Sequence, residues 1–180
     1  DQGGPVADML KDLATSAARP VAIELLGPKT ARQLAAEARA QLPEAPLVLC
    51  VGVEGSELEV RWQVGELERE LRAGGARSLD WVTAEDLTRL WRALTEFSVD
   101  VGLPGTFRAS LRPSRVVEFV TAAVDAGVTV LAHAGNGVVM GHLPDDTTTA
   151  EGALAVQRPL WDLAVAASGQ LVIERCDPDW

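Results

Sequence analysis

The stretch from Val128 to Leu143 constrains the fold more than any other part of the chain. Two alternating, largely apolar runs flank Ala134-Gly135-Asn136-Gly137. Asn-Gly is the dipeptide that two-residue hairpins prefer, because both turn positions take positive φ. With Asn136-Gly137 as the turn, Gly135 pairs with Val138, Ala134 with Val139, His133 with Met140 and Leu131 with His142. Side chains alternate across a strand, so one face collects Val128, Val130, Ala132, Ala134, Val139 and Leu143. The other collects Thr129, Leu131, His133, Val138, Met140 and His142, and so carries both histidines of the chain. A free face of an antiparallel sheet is ordinarily plainly polar. This one is semi-apolar, which predicts that something covers it.

Regular elements surround the hairpin. Residues 106–111 (TFRASL) alternate as a strand, with Phe107, Ala109 and Leu111 inward and Arg108, Ser110 and Arg112 on the other side. Pro113 and Ser114 open a helix carrying Val116, Val117, Val120 and Val124, which Gly127 ends. Residues 149–168 read as helix, with Pro159 kinking it or starting its second part, and Leu171–Cys176 as a last strand. The order β-α-β-β-α-β over residues 106–176 is that of a split βαβ, ferredoxin-like unit. Upstream, Val21–Leu26 reads as a strand, residues 30–41 as a helix and Leu47–Val53 as a strand buried on both faces. Ser56 and Glu59 form a capping box before a helix with Val60, Val64, Leu67 and Leu71 on one side and Gly74-Gly75 at its end. Residues 77–82 suit a further strand. Thr83 then caps a helix with Leu87, Leu90, Trp91, Leu94 and Phe97 on one face. The predicted class is α+β: a duplicated ferredoxin-like, mainly antiparallel sheet with helices on one face, in a single domain spanning residues 1–180.

Charge and composition narrow the partners. A formal net charge of −10 argues against nucleic acid and anionic membrane surfaces, which reward basic faces. No apolar run reaches the ~18 residues of a membrane span. The opening DQGGPVADML lacks the charged start and apolar core of a signal peptide and does not begin with Met, so a fragment or processed product is expected; the expected location is cytoplasmic or peripheral to the inner face of the membrane. Cys50 and Cys176 sit in separate apolar segments with no C-x-x-C spacing, which disfavours a structural zinc site. Free thiols are the default reading and a disulfide stays open. A metal held by His133 and His142 lacks a visible third ligand. Dinucleotide, Walker A and nucleophile-elbow motifs are absent. The residues thus point to a working face, to which Arg108, Ser110, Arg112 and Arg175 add basic and polar groups suited to a flat ring with an anion beside it.

LAHAGNGVV, after a helix and a V-T-V strand, resembles the H-x-G-[DN]-G segment of FAD-linked oxidase C-terminal domains. The asparagine form, with Val138-Val139 in place of Asn-Leu-His, is similar to the E subunits of glycolate oxidase. VAIELL, LVLCVGVEG, FRASLRPSRV and AASGQLVIERCDP are similar to other segments of that domain, in the same order, across about residues 18–178. The resemblance implies a cap domain beside an N-terminal FAD-binding domain of the vanillyl-alcohol oxidase type, which holds most of the FAD and is absent from this chain. It further implies oxidation of a small 2-hydroxy acid (glycolate or lactate class) by hydride transfer to FAD, with partner subunits that include an iron–sulfur protein. Arg108 and Arg175 would then hold the anion, and His133 would hydrogen-bond or take a proton. Asn136, flanked by Gly135 and Gly137, would meet the ring edge, with His142 as a further candidate. Two other readings stay open: a non-enzymatic ferredoxin-like module binding a ligand or partner, and a structural subunit of an oxidase complex.

Overall fold

A computed structural model describes residues 4–82, 84–99 and 104–180. The elements run α1 (Gly4–Leu13), β1 (Ala22–Leu26), α2 (Pro28–Ala38), β2 (Val48–Gly52), α3 (Glu57–Ala73), α4 (Ala84–Glu96), β3 (Gly105–Ser110), α5 (Val116–Asp125), β4 (Thr129–His133), β5 (Val138–His142), α6 (Ala150–Ala166) and β6 (Gln170–Cys176). The six strands form one sheet in the order β2-β1-β4-β5-β3-β6, and every pairing is antiparallel. The fold is therefore α+β, as expected. In the C-terminal half, β3 and β4 run parallel with β5 inserted between them, and β5 and β6 run parallel with β3 between them, which is the split βαβ arrangement.

Several local expectations hold. Ser56 Oγ accepts from Glu59 N while Glu59 Oε2 accepts from Ser56 N, so the capping box starts α3. Thr149 caps α6 through Gly152 N, and Pro159 is accommodated inside that helix on its exposed side. The expected Thr83 cap lies outside the described residues.

Four expectations need correction. Residues 77–82 form no strand, so the N-terminal half contributes two strands rather than a second complete unit. β2 is not buried on both faces. It is an edge strand with one partner, and Val48 is its one fully buried residue. The helices are not confined to one face. α1, α3, α5 and α6 pack on the face carrying Leu25, Ala132, Val139, Phe107 and Leu171. α2 and α4 bring Ala31, Leu34, Ala38, Leu90, Ala93 and Leu94 onto Leu26, Val48 and Leu131 of the opposite face. The semi-apolar character of that face thus has, over β1, β4 and β2, a covering supplied by the chain itself.

The hairpin also departs from the expected register. His133 pairs with Val138, Ala132 with Val139, Leu131 with Met140 and Thr129 with His142, leaving a four-residue turn, Ala134–Gly137. Ala134 N donates to Ile23 O at 2.8 Å, so this residue stays with β1 instead of pairing with β5. His133 O accepts from Asn136 N and Gly137 N, and Asn136 Oδ1 accepts from Val138 N. Of the four turn residues, Gly137 alone has positive φ, +79°. A Cβ there would stand 2.0 Å from Leu111 O. The register differs from the expected one by two residues, so each side chain keeps its face. The histidines nevertheless separate to opposite ends of the pair.

In the main core, the Phe107 ring packs against its cross-strand partner Gly141, and a Cβ at Gly141 would fall 2.3 Å from Phe107 Cζ. Phe107 is 1% exposed and meets Phe119 edge to face at 6.3 Å between centroids, so the ring has no room to retreat. Gly141→Ala should lower unfolding stability by about 1–3 kcal/mol through overpacking. Pairing it with Phe107→Leu should give a loss smaller than the sum of the two single losses, as read by urea or heat unfolding.

Candidate functional site

The register lines up one transverse row across the sheet: Cys50, Glu24, His133, Val138, Ser110 and Gln170. The next row reads Val48, Leu26, Leu131, Met140, Arg108 and Val172. α2 and α4 bury the Val48, Leu26 and Leu131 part of this face. Met140, half-buried, packs against the margin of that covered cluster, and beyond it Arg108 is exposed and Val172 is 46% exposed. The face therefore has a covered half and an open half. His133, at the end of β4, stands where the two meet.

His133 is held by a carboxylate that the sequence reading missed. Glu24 lies opposite it on β1, and Glu24 Oε2 is 2.6 Å from His133 Nδ1. The Glu24 side chain is 9% exposed and that of His133 is 37% exposed. A carboxylate offers no donor, so Nδ1 carries the proton in this pair, and Nε2 is the ring nitrogen left outside it. The hydrogen bond to Glu24 is the main cause that raises the His133 pKa. Desolvation opposes it, and the charge of Glu24 adds to it. On the other side of Glu24, burial and the same carboxylate push the Cys50 thiol up to about 12. A signal for Glu24 was present: a lone carboxylate inside the apolar strand VAIELL, where an acid is seldom buried without a partner.

The expected site residues are only partly brought together. Arg108 is on the same face as His133, two strands and two residues away, about 12 Å between backbones at ordinary sheet spacings. Its Nε is 3.1 Å from Glu174 Oε1, and Glu174 lies beside the register shift between β3 and β6. Arg175 pairs with Thr106, in the row of His142 and Thr129. This is about 20 Å from His133 by the same spacings, too far for the two to grip one small acid. His142 is 1% exposed and stacks on Phe97 at 4.1 Å and 11°, so it belongs to the core and not to a working face. Gly135 and Asn136 are exposed at the turn beside His133, whereas Gly137 is buried against β3.

The open half is chemically suited to a flat heteroaromatic ring. Val138, Met140 and Val172 form an apolar floor, and His133, Ser110, Gln170 and Arg108 stand around it as hydrogen-bonding groups. Among the described residues no group of three His, Cys, Asp or Glu side chains converges as a metal site. Among the described residues no helix is long and apolar enough to cross a membrane. Residues 5–171 match the family described as FAD linked oxidases, C-terminal domain. No curated protein matches the chain.

Two measurements check these environments. Because His133 binds its proton more tightly in the folded chain than in the unfolded one, the pair adds stability in full below about pH 6.5. That addition fades as pH rises through the raised folded value. Heat-unfolding midpoints of wild type and His133→Gln should therefore lie further apart at about pH 5.5 than at about pH 8.5. Cys176 is exposed and Cys50 is shielded beside Glu24. A thiol reagent should titrate Cys176 in the native chain and reach Cys50 after unfolding.

Proposed function

The chain belongs to the FAD linked oxidase C-terminal domain family, and on that premise we propose that it is the substrate-side cap of a flavin-dependent oxidoreductase acting on a small 2-hydroxy acid of the glycolate or lactate class. The observation that carries this reading is the division of one sheet face into a half covered by α2 and α4 and an open half bordered by His133. In this reading an N-terminal FAD-binding domain presents the flavin ring to the open half. FAD, when bound, supplies the hydride acceptor.

This chain's own residues would bind, orient and handle the proton. Val138, Met140 and Val172 would lie under the ring and exclude water. Arg108 would draw in the substrate carboxylate once Glu174 yields it, since guanidinium binds carboxylates in a fork. His133 Nε2 would accept a hydrogen bond from the substrate hydroxyl and then its proton. Asn136, at the tip of the turn between Gly135 and Gly137, would approach the ring edge. Arg175, remote from His133, would meet the flavin-binding domain instead of the reacting acid. We further propose a cytoplasmic complex whose iron–sulfur subunit takes the electrons onward, a reading supported by the asparagine form of the Leu131–Val139 segment.

The protein expressed from its complete gene should show flavin bands near ~370 and ~450 nm that bleach on adding glycolate or lactate. His133→Ala and Arg108→Ala should each reduce turnover by roughly 100-fold or more, the scale of a lost proton acceptor or charge clamp, with the heat-unfolding midpoint little changed in Arg108→Ala and lowered in His133→Ala, which leaves the buried Glu24 without its partner. A colourless protein that takes up no added FAD would overturn the proposal in favour of a non-enzymatic binding module.

A further inference from the structure

Glu24 is an expensive residue for its place. It occupies the middle of β1, whose other described side chains are apolar, and it is 7% exposed in a strand that has sheet partners on both sides. A buried carboxylate loses its hydration, and a leucine or valine would fill the same row without that cost. One partner compensates it, and that partner, His133, is the exposed member of the pair. The arrangement therefore anchors an imidazole from behind and leaves its far nitrogen outward. Salt bridges that merely join two elements have no need of such one-sided exposure.

We propose that Glu24 is a positioning residue for His133: its buried carboxylate takes the Nδ1 proton and so presents Nε2 to the open half of the sheet as the proton-accepting atom toward the hydroxyl of a small hydroxy acid. The proposal rests on the flavoenzyme reading above and adds a residue to it. When the substrate O–H bond breaks, its proton forms the Nε2–H bond, and the ring becomes a cation beside a carboxylate already in place. The pair as a whole is then neutral, so the proton arrives without an uncompensated charge on the face. The groups facing His133 are Glu24 from β1 and, beyond it, the Cys50 thiol from β2. On the β5 and β3 side its row partners Val138 and Ser110 carry no charge, and Arg108 stands one row away against Glu174.

The chain has two histidines, which makes ring-nitrogen NMR decisive. In wild type, His133 should be protonated at Nδ1 in its neutral form and should titrate above the ordinary ~6.5. In Glu24→Gln, which keeps the shape and a hydrogen-bonding group, the titration should fall back toward ~6.5 and the two neutral forms should mix. The His142 signals should stay in place. Coincident His133 spectra in wild type and Glu24→Gln would overturn the proposal. In the full-length flavoprotein, Glu24→Gln should lower turnover roughly 10- to 100-fold, by analogy with partners that orient metal-binding histidines, and should move the acid limb of the pH–rate profile to lower pH. Turnover lost in His133→Ala but unchanged in Glu24→Gln would overturn the positioning role while the flavoenzyme reading stands. Turnover unchanged in both variants would overturn the working-face reading itself.

Discussion

The architecture depends on β4 being buried from both sides. Val130, Leu131 and Ala132 are all at 0% exposure. Val130 and Ala132 enter the core under α5, and Leu131 enters the core under α2 and α4. A short apolar strand satisfies this demand because β1 and β5 take its backbone groups on either edge. Burial on both faces also fixes the register, since a one-residue slip would exchange the two cores. His133 is the residue at which this double burial ends. Its location is thus set by packing, and its chemistry is added by the neighbour that β1 supplies.

Much of the second half was legible in the sequence because its signals are local. The alternation of TFRASL, the valine stripe of the following helix and the Asn136-Gly137 turn each specify an element within a few residues. The assignment of side chains to faces also survived, although the turn is longer than expected. What failed was non-local. The α2 stripe is Ala31, Leu34 and Ala38, small residues whose periodicity says little about which surface they meet. The sequence of β2 reads as a buried strand, yet strand order puts it at the sheet edge. Arg175 shares a face with His133, but the row it occupies depends on an irregularity between β3 and β6 that no spacing in the sequence announces.

The site was half legible for the same reason. His133 stood out as one of two histidines on a semi-apolar face. His142 stood out equally, and the fold separates them: one faces a boundary with solvent and the other lies under Phe97. Glu24 lies 109 positions from His133, and nothing in the sequence pairs them until β1 and β4 are known to be neighbours. An acid in an apolar strand is a request for a partner, and the sheet order identifies that partner.

The four-residue turn has a consequence for how chains of this architecture can diverge. Adding or removing two residues between β4 and β5 slides the strands but returns every side chain to the surface it left, because the strand repeat is two. A single insertion does the opposite and carries the β5 side chains through the sheet, placing Met140 among the valines of the main core and Val139 on the open surface. Gly137 narrows the tolerance further, since its carbonyl accepts from Leu111 N at 2.8 Å and ties the tip of the turn to the end of β3. Length changes taken up by strand slippage therefore keep the faces only in pairs, whereas those absorbed within the turn leave both the register and the β3 tether as they are.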